Sequence, residues 1–284
     1  MLLLFACIQP IPVPKDSGGV VNPDPTLATL VSLSGGTFMM GSPEEEADRE
    51  PDEVRHAVIL SPFWIMEREV TQGMWKEVLS GDNPSYFGAC GDGCPVEMVS
   101  WCDVVWFANE LSRLRGIEAA YSLPDGFLPG LDEANCDSLS SEVILDLSQP
   151  GYRLPTEAEW EIAARGGEEC VYAGSNIVNE VGWYIENSMR TTHPGCGLLR
   201  NRYDLFDMSG NVWEWTWDRY GDYADVPPGA DPEGVSSGLD RVVRGGSWNN
   251  AAGYARVADR LDGNPGARIA DLGFRLAGSG SLDP

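Results

Sequence analysis

Apolar positions recur along this chain in two periods, and the switches between them mark its elements. From Leu30 to Met40 the run Leu-Val-Ser-Leu-Ser-Gly-Gly-Thr-Phe-Met-Met predicts two short strands about a Gly35-Gly36 turn. His56 to Leu60 and Phe63 to Met66 are further strand-like runs. The period then changes. Met74, Trp75, Val78 and Leu79 fall on one helical face behind Thr71, a residue suited to cap free backbone amides. Ser100 opens a second helix, with Asp103 in the capping-box place of Glu; Trp101, Val104, Val105, Ala108, Leu111 and Leu114 form its stripe and Gly116 its stop. Thr156 and Glu159 form a complete capping box for a third helix through Trp160, Ile162 and Ala163 to Gly166-Gly167, and Glu157, Glu159 and Glu161 are expected to serve its positive end. Trp213, Trp215 and Trp217 alternate as a core strand does. Residues 117 to 150 keep no clear period and read as an insertion loop with one short hairpin; the charged stretch 43 to 53 reads as a solvated loop.

Composition narrows the class. The 284 residues show neither internal repeat nor linker, and 43% are apolar, enough for one large core. Acidic residues outnumber basic ones 44 to 19, giving a net charge of -25. Such a surface repels phosphate backbones and anionic bilayers, so nucleic acid is excluded as a partner. The start Met1-Leu-Leu-Leu-Phe-Ala-Cys7 resembles the end of a lipoprotein signal, although its apolar run is short for a leader. This predicts a signal remnant over 1–6, an acylated Cys7, a Pro/Gly-rich tether over 7–28, one domain over 29–277 and a tail over 278–284. A lipid anchor is the only membrane contact expected, on an extracytoplasmic protein. The remaining cysteines are even in number, as an oxidising compartment favours; Cys90 and Cys94, across Gly-Asp-Gly, are the expected first disulfide, with Cys102, Cys136, Cys170 and Cys196 unassigned.

The candidate chemistry begins at Asp207. Asp207 and Glu214 flank Ser209-Gly210-Asn211, a turn-forming trio that lets the chain double back. Two carboxylates with the backbone carbonyls of Gly210 and Val212 make an oxygen set suited to one calcium ion.

Around this turn the sequence resembles the formylglycine-generating, sulfatase-modifying family. The likeness is carried by Gly35-Gly36-Thr37-Phe38-Met39-Met40-Gly41-Ser42, Glu69-Val70-Thr71, Tyr152-Arg153-Leu154-Pro155-Thr156-Glu157-Ala158-Glu159-Trp160-Glu161 and Gly210-Asn211-Val212-Trp213-Glu214-Trp215, closed by Arg244-Gly245-Gly246-Ser247-Trp248 through Gly273-Phe274-Arg275. The resemblance implies an α+β fold: a single compact domain related to C-type lectins, with much irregular backbone and bound calcium. It also implies an oxygen-dependent cysteine oxidase with a Cu(I)-binding cysteine pair, which would fall at Asn250 and Ala255. No cysteine follows Cys196, and neither an amide nor a methyl replaces a thiolate, so copper is not expected. The iron-dependent sulfoxide synthases of the family need three histidines, and only His56 and His193 are present.

The polar stretch from Trp248 to Asp271 also resembles the ligand-facing segment of diversified C-type-lectin-like display proteins. Trp248, Asn249, Asn250, Tyr254, Arg256, Arg260 and Asn264 are its expected ligand-facing side chains, and Arg244 and Arg275 at its ends are expected ion-pair partners. The resulting expectation is an exported, calcium-stabilised binding or accessory module for a protein, peptide or small-molecule ligand. The alternatives are an enzyme of other chemistry using Ser247, Asn250, Tyr254 and Arg260, or the formylglycine-generating oxidase itself.

Overall fold

The computed structural model describes residues 29–81 and 83–280. The expected leader, tether and Cys7 acylation site lie outside the described residues. In chain order the elements begin with β1 (Leu30–Leu33), β2 (Gly36–Met40), β3 (His56–Leu60) and β4 (Phe63–Met66). The expected turn at Gly35-Gly36 joins strands that do not pair. β1 lies antiparallel on β4, while β2 pairs with β3. The two-residue link is a corner between sheets: Leu33 of β1 and Met40 of β2 reach the same core, while Leu30 of β1 reaches the other.

Helix α1 (Gln72–Leu79) is capped by Thr71, and α2 (Trp101–Arg115) by the reciprocal Ser100–Asp103 box; Gly116, at φ 69°, ends α2. Each cap satisfies amides that the helix itself leaves free, typically worth about 1 kcal/mol. Leu114, expected in the stripe of α2, is instead exposed, because the last turn of the helix runs beyond the core. The stretch expected to be a loop holds β5 (Tyr121–Ser122), α3 (Glu133–Ser140) and β6 (Ile144–Leu145). The hairpin is the β5–β6 pair, and α3 leaves no apolar period in the sequence because only Cys136 and Ser140 on it are buried. A Cys102–Cys136 disulfide ties α3 to α2, and the expected Cys90–Cys94 bridge is present.

Helix α4 (Glu157–Arg165) carries the second reciprocal capping box and is buried along its whole length. Then come α5 (Val178–Val181), β7 (Gly182–Trp183), β8 (Ser209–Gly210) and β9 (Trp213–Arg219), followed by β10 (Arg241–Arg244), β11 (Arg260–Gly263), β12 (Leu272–Gly273) and β13 (Ala277–Ser279). The last strand runs two residues past the expected domain end and pairs with β4, giving a sheet of order β1-β4-β13. The second sheet, β11-β10-β9-β12, is antiparallel except for β12, which runs parallel to β9.

Both faces of β9 are covered, so Trp213, Trp215 and Trp217 are all buried, as expected of a core strand. Their indoles remain satisfied: Trp215 Nε1 donates to Val99 O at 3.0 Å, and Trp101 Nε1 returns a bond of 3.0 Å to Thr216 O. These two bonds fix α2 on β9. A second core forms where Phe63, Ile65, Trp160 and Met208 meet, with α4 at its centre.

Candidate functional site

Two places carry chemistry, one inside the domain and one on its face. The inner one begins at the turn before β9. Asp207 (φ 54°), Gly210 (φ 85°) and Asn211 (φ 66°) all take left-handed backbone. At Gly210 a Cβ atom would stand 2.2 Å from Trp183 O, so only glycine fits. Asp207 Oδ2 accepts from Cys196 N at 2.8 Å, while its Oδ1 is buried with no partner. Burial pushes the carboxyl up to about 6. Glu69 stands close by, accepting from Asn211 Nδ2 at 3.1 Å; burial, and then repulsion from Asp207 and Glu214, raises it well above the usual carboxylate range. Glu214 is differently held. Arg275 Nε and Nη2 each donate to it at 2.7 Å, and Trp160 Nε1 adds a bond of 2.8 Å. Arg275 is thus the central cation of three buried acids, in the ion-pair role expected of it.

Among the described residues no three His, Cys, Asp or Glu side chains group as a metal site. The oxygen set expected from the sequence has two carboxylates, of which Glu214 is occupied by Arg275 and Asp207 keeps one oxygen with no partner. That orphan oxygen is what fits a hard cation: a bare buried carboxylate oxygen costs free energy that a bound cation would offset. Glu69 was not expected here: its block, Glu69-Val70-Thr71, carries the family likeness, but 138 residues separate it from Asp207 and only the fold brings the two acids together.

The outer place is the segment after β10. Ser247 Oγ is in hydrogen-bond contact with both Asn250 Oδ1 and Asp271 Oδ2, the latter at 3.0 Å, and Trp213 Nε1 donates to the same Asn250 oxygen at 2.9 Å. Asn249 and Tyr254 are exposed above this network, and Tyr254 meets Trp213 edge to face. Trp248 is half-buried, donates to Ala270 O at 3.1 Å and packs edge-on against Phe87. Ser247, Asn250 and Tyr254, with Asn249 and Trp248, therefore come together.

Three expected members of this face do not join it. Arg256 is 1% exposed, forked onto Glu53 at 2.6 and 2.8 Å and bonded to Glu46 at 2.9 Å. Arg260 is also buried, on Glu157 at 2.7 and 2.8 Å, with its guanidinium over the rings of Tyr220 and Tyr223. Asn264 bonds Asp137 and the Gly266 amide, as a turn residue does. The physical reason is distant neutralisation. Their carboxylate partners lie far away in sequence, so polarity alone suggested exposure. The same pairs correct two other readings. The charged stretch 43 to 53 is pinned at Glu53, which is fully buried, and only Glu159 of the α4 acids caps the helix, since Glu157 and Glu161 hold Arg260, Arg165 and Arg244.

Beside this lock, Asp259 has a buried Oδ2 with no partner, and burial pushes its pKa up to about 7. The folded protein therefore holds this proton more tightly than an unfolded chain, where Asp titrates near about 3.9. The stability supplied by the protonated form is complete below about pH 4 and is lost as the pH rises to about 7. Asp259→Asn stays neutral throughout. It is expected to flatten that part of the stability curve and to be about 1–2 kcal/mol more stable than wild type at pH 8. Urea midpoints at pH 5 and pH 8 check this, and equal losses in both proteins would refute it.

Comparison with known proteins agrees with this architecture. Residues 18–279 match the model of the sulfatase-modifying factor enzyme 1-like domain. The chaperone protein LppX of Paenibacillus barcinonensis is 31% identical over 278 residues, covering 91% of this chain and 90% of that protein. The formylglycine-generating enzyme of Mus musculus is 34% identical over 289 residues, covering 88% and 75%. Among solved structures, Treponema denticola variable protein 1 superposes with a TM-score of 0.79 at 36% identity, covering 89% of this chain and 95% of that one.

Proposed function

Because this chain belongs to the family of sulfatase-modifying factor enzyme 1-like domains, which includes the formylglycine-generating enzymes, we propose that it is an exported binding or accessory module, stabilised by calcium, without the oxidase chemistry. The observation that carries the reading is the Asn250 network. Where the family resemblance implies a Cu(I) thiolate, an amide oxygen is held by Trp213 and Ser247, and the second position is the buried methyl of Ala255. Neither group binds Cu(I) as a thiolate does or forms a mixed disulfide with a substrate thiol.

What remains is a recognition surface. Exposed Asn249 and Tyr254 and half-buried Trp248 present it over a bonded network of Ser247, Asn250 and Asp271, on loops between core strands β10 and β12. Enzyme chemistry on these groups is the weaker reading, since Arg260 of that candidate set is buried against Glu157. Asp207 would hold calcium through its bare oxygen, with the Gly210 and Val212 carbonyls of the expected set; Glu214 would join them only by giving up bonds to Arg275 and Trp160. Attachment through Cys7 belongs to the same proposal; among the described residues no helix is long and apolar enough to cross a membrane.

The decisive assay offers calcium-loaded protein Cu(I) and a sulfatase-motif peptide, and reads the peptide cysteine by mass spectrometry. An unchanged thiol beside an active family enzyme is expected. Formylglycine would overturn the proposal.

A further inference from the structure

A cavity of about 420 Å³ opens on another part of the surface, between α1, the start of α2 and the segment before β12. Trp75, Leu79, Pro84, Met98, Val99 and Pro129 line it, and the Asp103–Arg268 pair forms its polar wall. Its size is that of a small-ligand pocket, and its mainly apolar lining is what such pockets use to bind.

The polar wall is unbalanced. Asp103 has both oxygens fully engaged: Ser100 N, Ser100 Oγ and Arg268 Nε meet Oδ2, and Gly130 N and Arg268 Nη2 meet Oδ1. Arg268 Nη2 also donates to Leu131 O, whereas Nη1 donates to no group among the described residues. Trp75 stacks on Phe107, and its indole N–H likewise has no acceptor among them. The cavity thus has N–H donors to spare on a guanidinium that the engaged carboxylate holds in place. The complement of such a wall is an apolar body ending in an anionic acceptor.

We propose that this cavity binds an aromatic or branched aliphatic carboxylate, its apolar part against Trp75, Leu79 and Met98 and its carboxylate on Arg268 Nη1. The chemistry is shared by a free aromatic acid and by the last residue of a peptide with an apolar side chain. A charge-assisted contact of this kind is stronger than one to a neutral acceptor, so replacing the carboxylate by an amide weakens binding.

The test follows the methyl resonance of Met98 in methyl-labelled protein during titration with 3-phenylpropionate, with N-acetyl-Gly-Phe, and with the C-terminal amide of that dipeptide. A saturable shift is expected with at least one acid, and the amide should bind about tenfold more weakly than its parent acid or not at all. Saturation by 3-phenylpropionate alone assigns the site to free acids, and saturation by the dipeptide acid assigns it to peptide C-termini. Arg268→Gln, with unchanged methyl resonances of methionines away from the cavity as evidence of folding, should lose the preference for acids. No saturation by either acid up to about 10 mM, or equal affinities of dipeptide acid and amide, would overturn the proposal. Comparing the dipeptide acid and amide on unaltered protein keeps the test valid even where Arg268→Gln misfolds.

Discussion

Arg275→Leu is expected to lower the stability of the domain by about 3–5 kcal/mol at neutral pH. Arg275 is fully buried; it forks onto Glu214 and also donates to Met66 O at 3.2 Å and Phe206 O at 3.0 Å. Leucine fills much of the space but leaves Glu214 as a charge with no counter-ion, close to Glu69 and Asp207. Removing one partner of a buried pair costs far more than the pair contributes relative to an apolar replacement of both. The double variant Arg275→Leu with Glu214→Gln should therefore recover part of the loss. Equilibrium urea denaturation measures both. A single-variant loss below about 1 kcal/mol would mean that water reaches Glu214 and that the cluster is not the buried hub described.

Calcium is expected to raise the unfolding midpoint of the wild-type protein and to leave Asp207→Ala unmoved. At a free ion concentration about a hundredfold above the dissociation constant, one site adds about 2.7 kcal/mol. Without the ion, Asp207→Ala should be less stable than wild type, because it leaves Cys196 N without its acceptor and puts alanine at φ 54°, whereas adding calcium should change the wild type alone. That asymmetry separates loss of the ion from simple damage to the fold. Calorimetric titration that finds no calcium binding by the wild type, or undiminished binding by Asp207→Ala, rules the assignment out.

The helices were the most legible part of the sequence, for a local reason. Thr71, Ser100–Asp103 and Thr156–Glu159 act on amides within the next turn, so their effect is written in consecutive residues. Strand pairing was not: β1 and β2 are neighbours in sequence that pair with β4 and β3. The candidate face was legible where short-range contacts build it, as at Ser247, Asn250 and Tyr254. It was misread at Arg256 and Arg260, because a guanidinium is polar in sequence wherever it sits, and only the fold brings Glu53 and Glu157 against it. Asp271, the carboxylate beneath Ser247, was passed over for the converse reason, lying beside a core strand with no pattern of its own.

The position of β13 has a consequence for how the chain is assembled. The strand closest to the C-terminus lies on one edge of β4 and the strand closest to the N-terminus on the other, while Arg275, between β12 and β13, neutralises Glu214 on β9. Neither sheet can be completed until β12 and β13 have been made. A ribosome-bound chain would thus carry β4 with a bare edge and Glu214 without its counter-ion through most of translation. Stable folding is deferred until β13 has left the ribosome, and a nascent chain or one cut short before residue 275 is a target for chaperones and proteases.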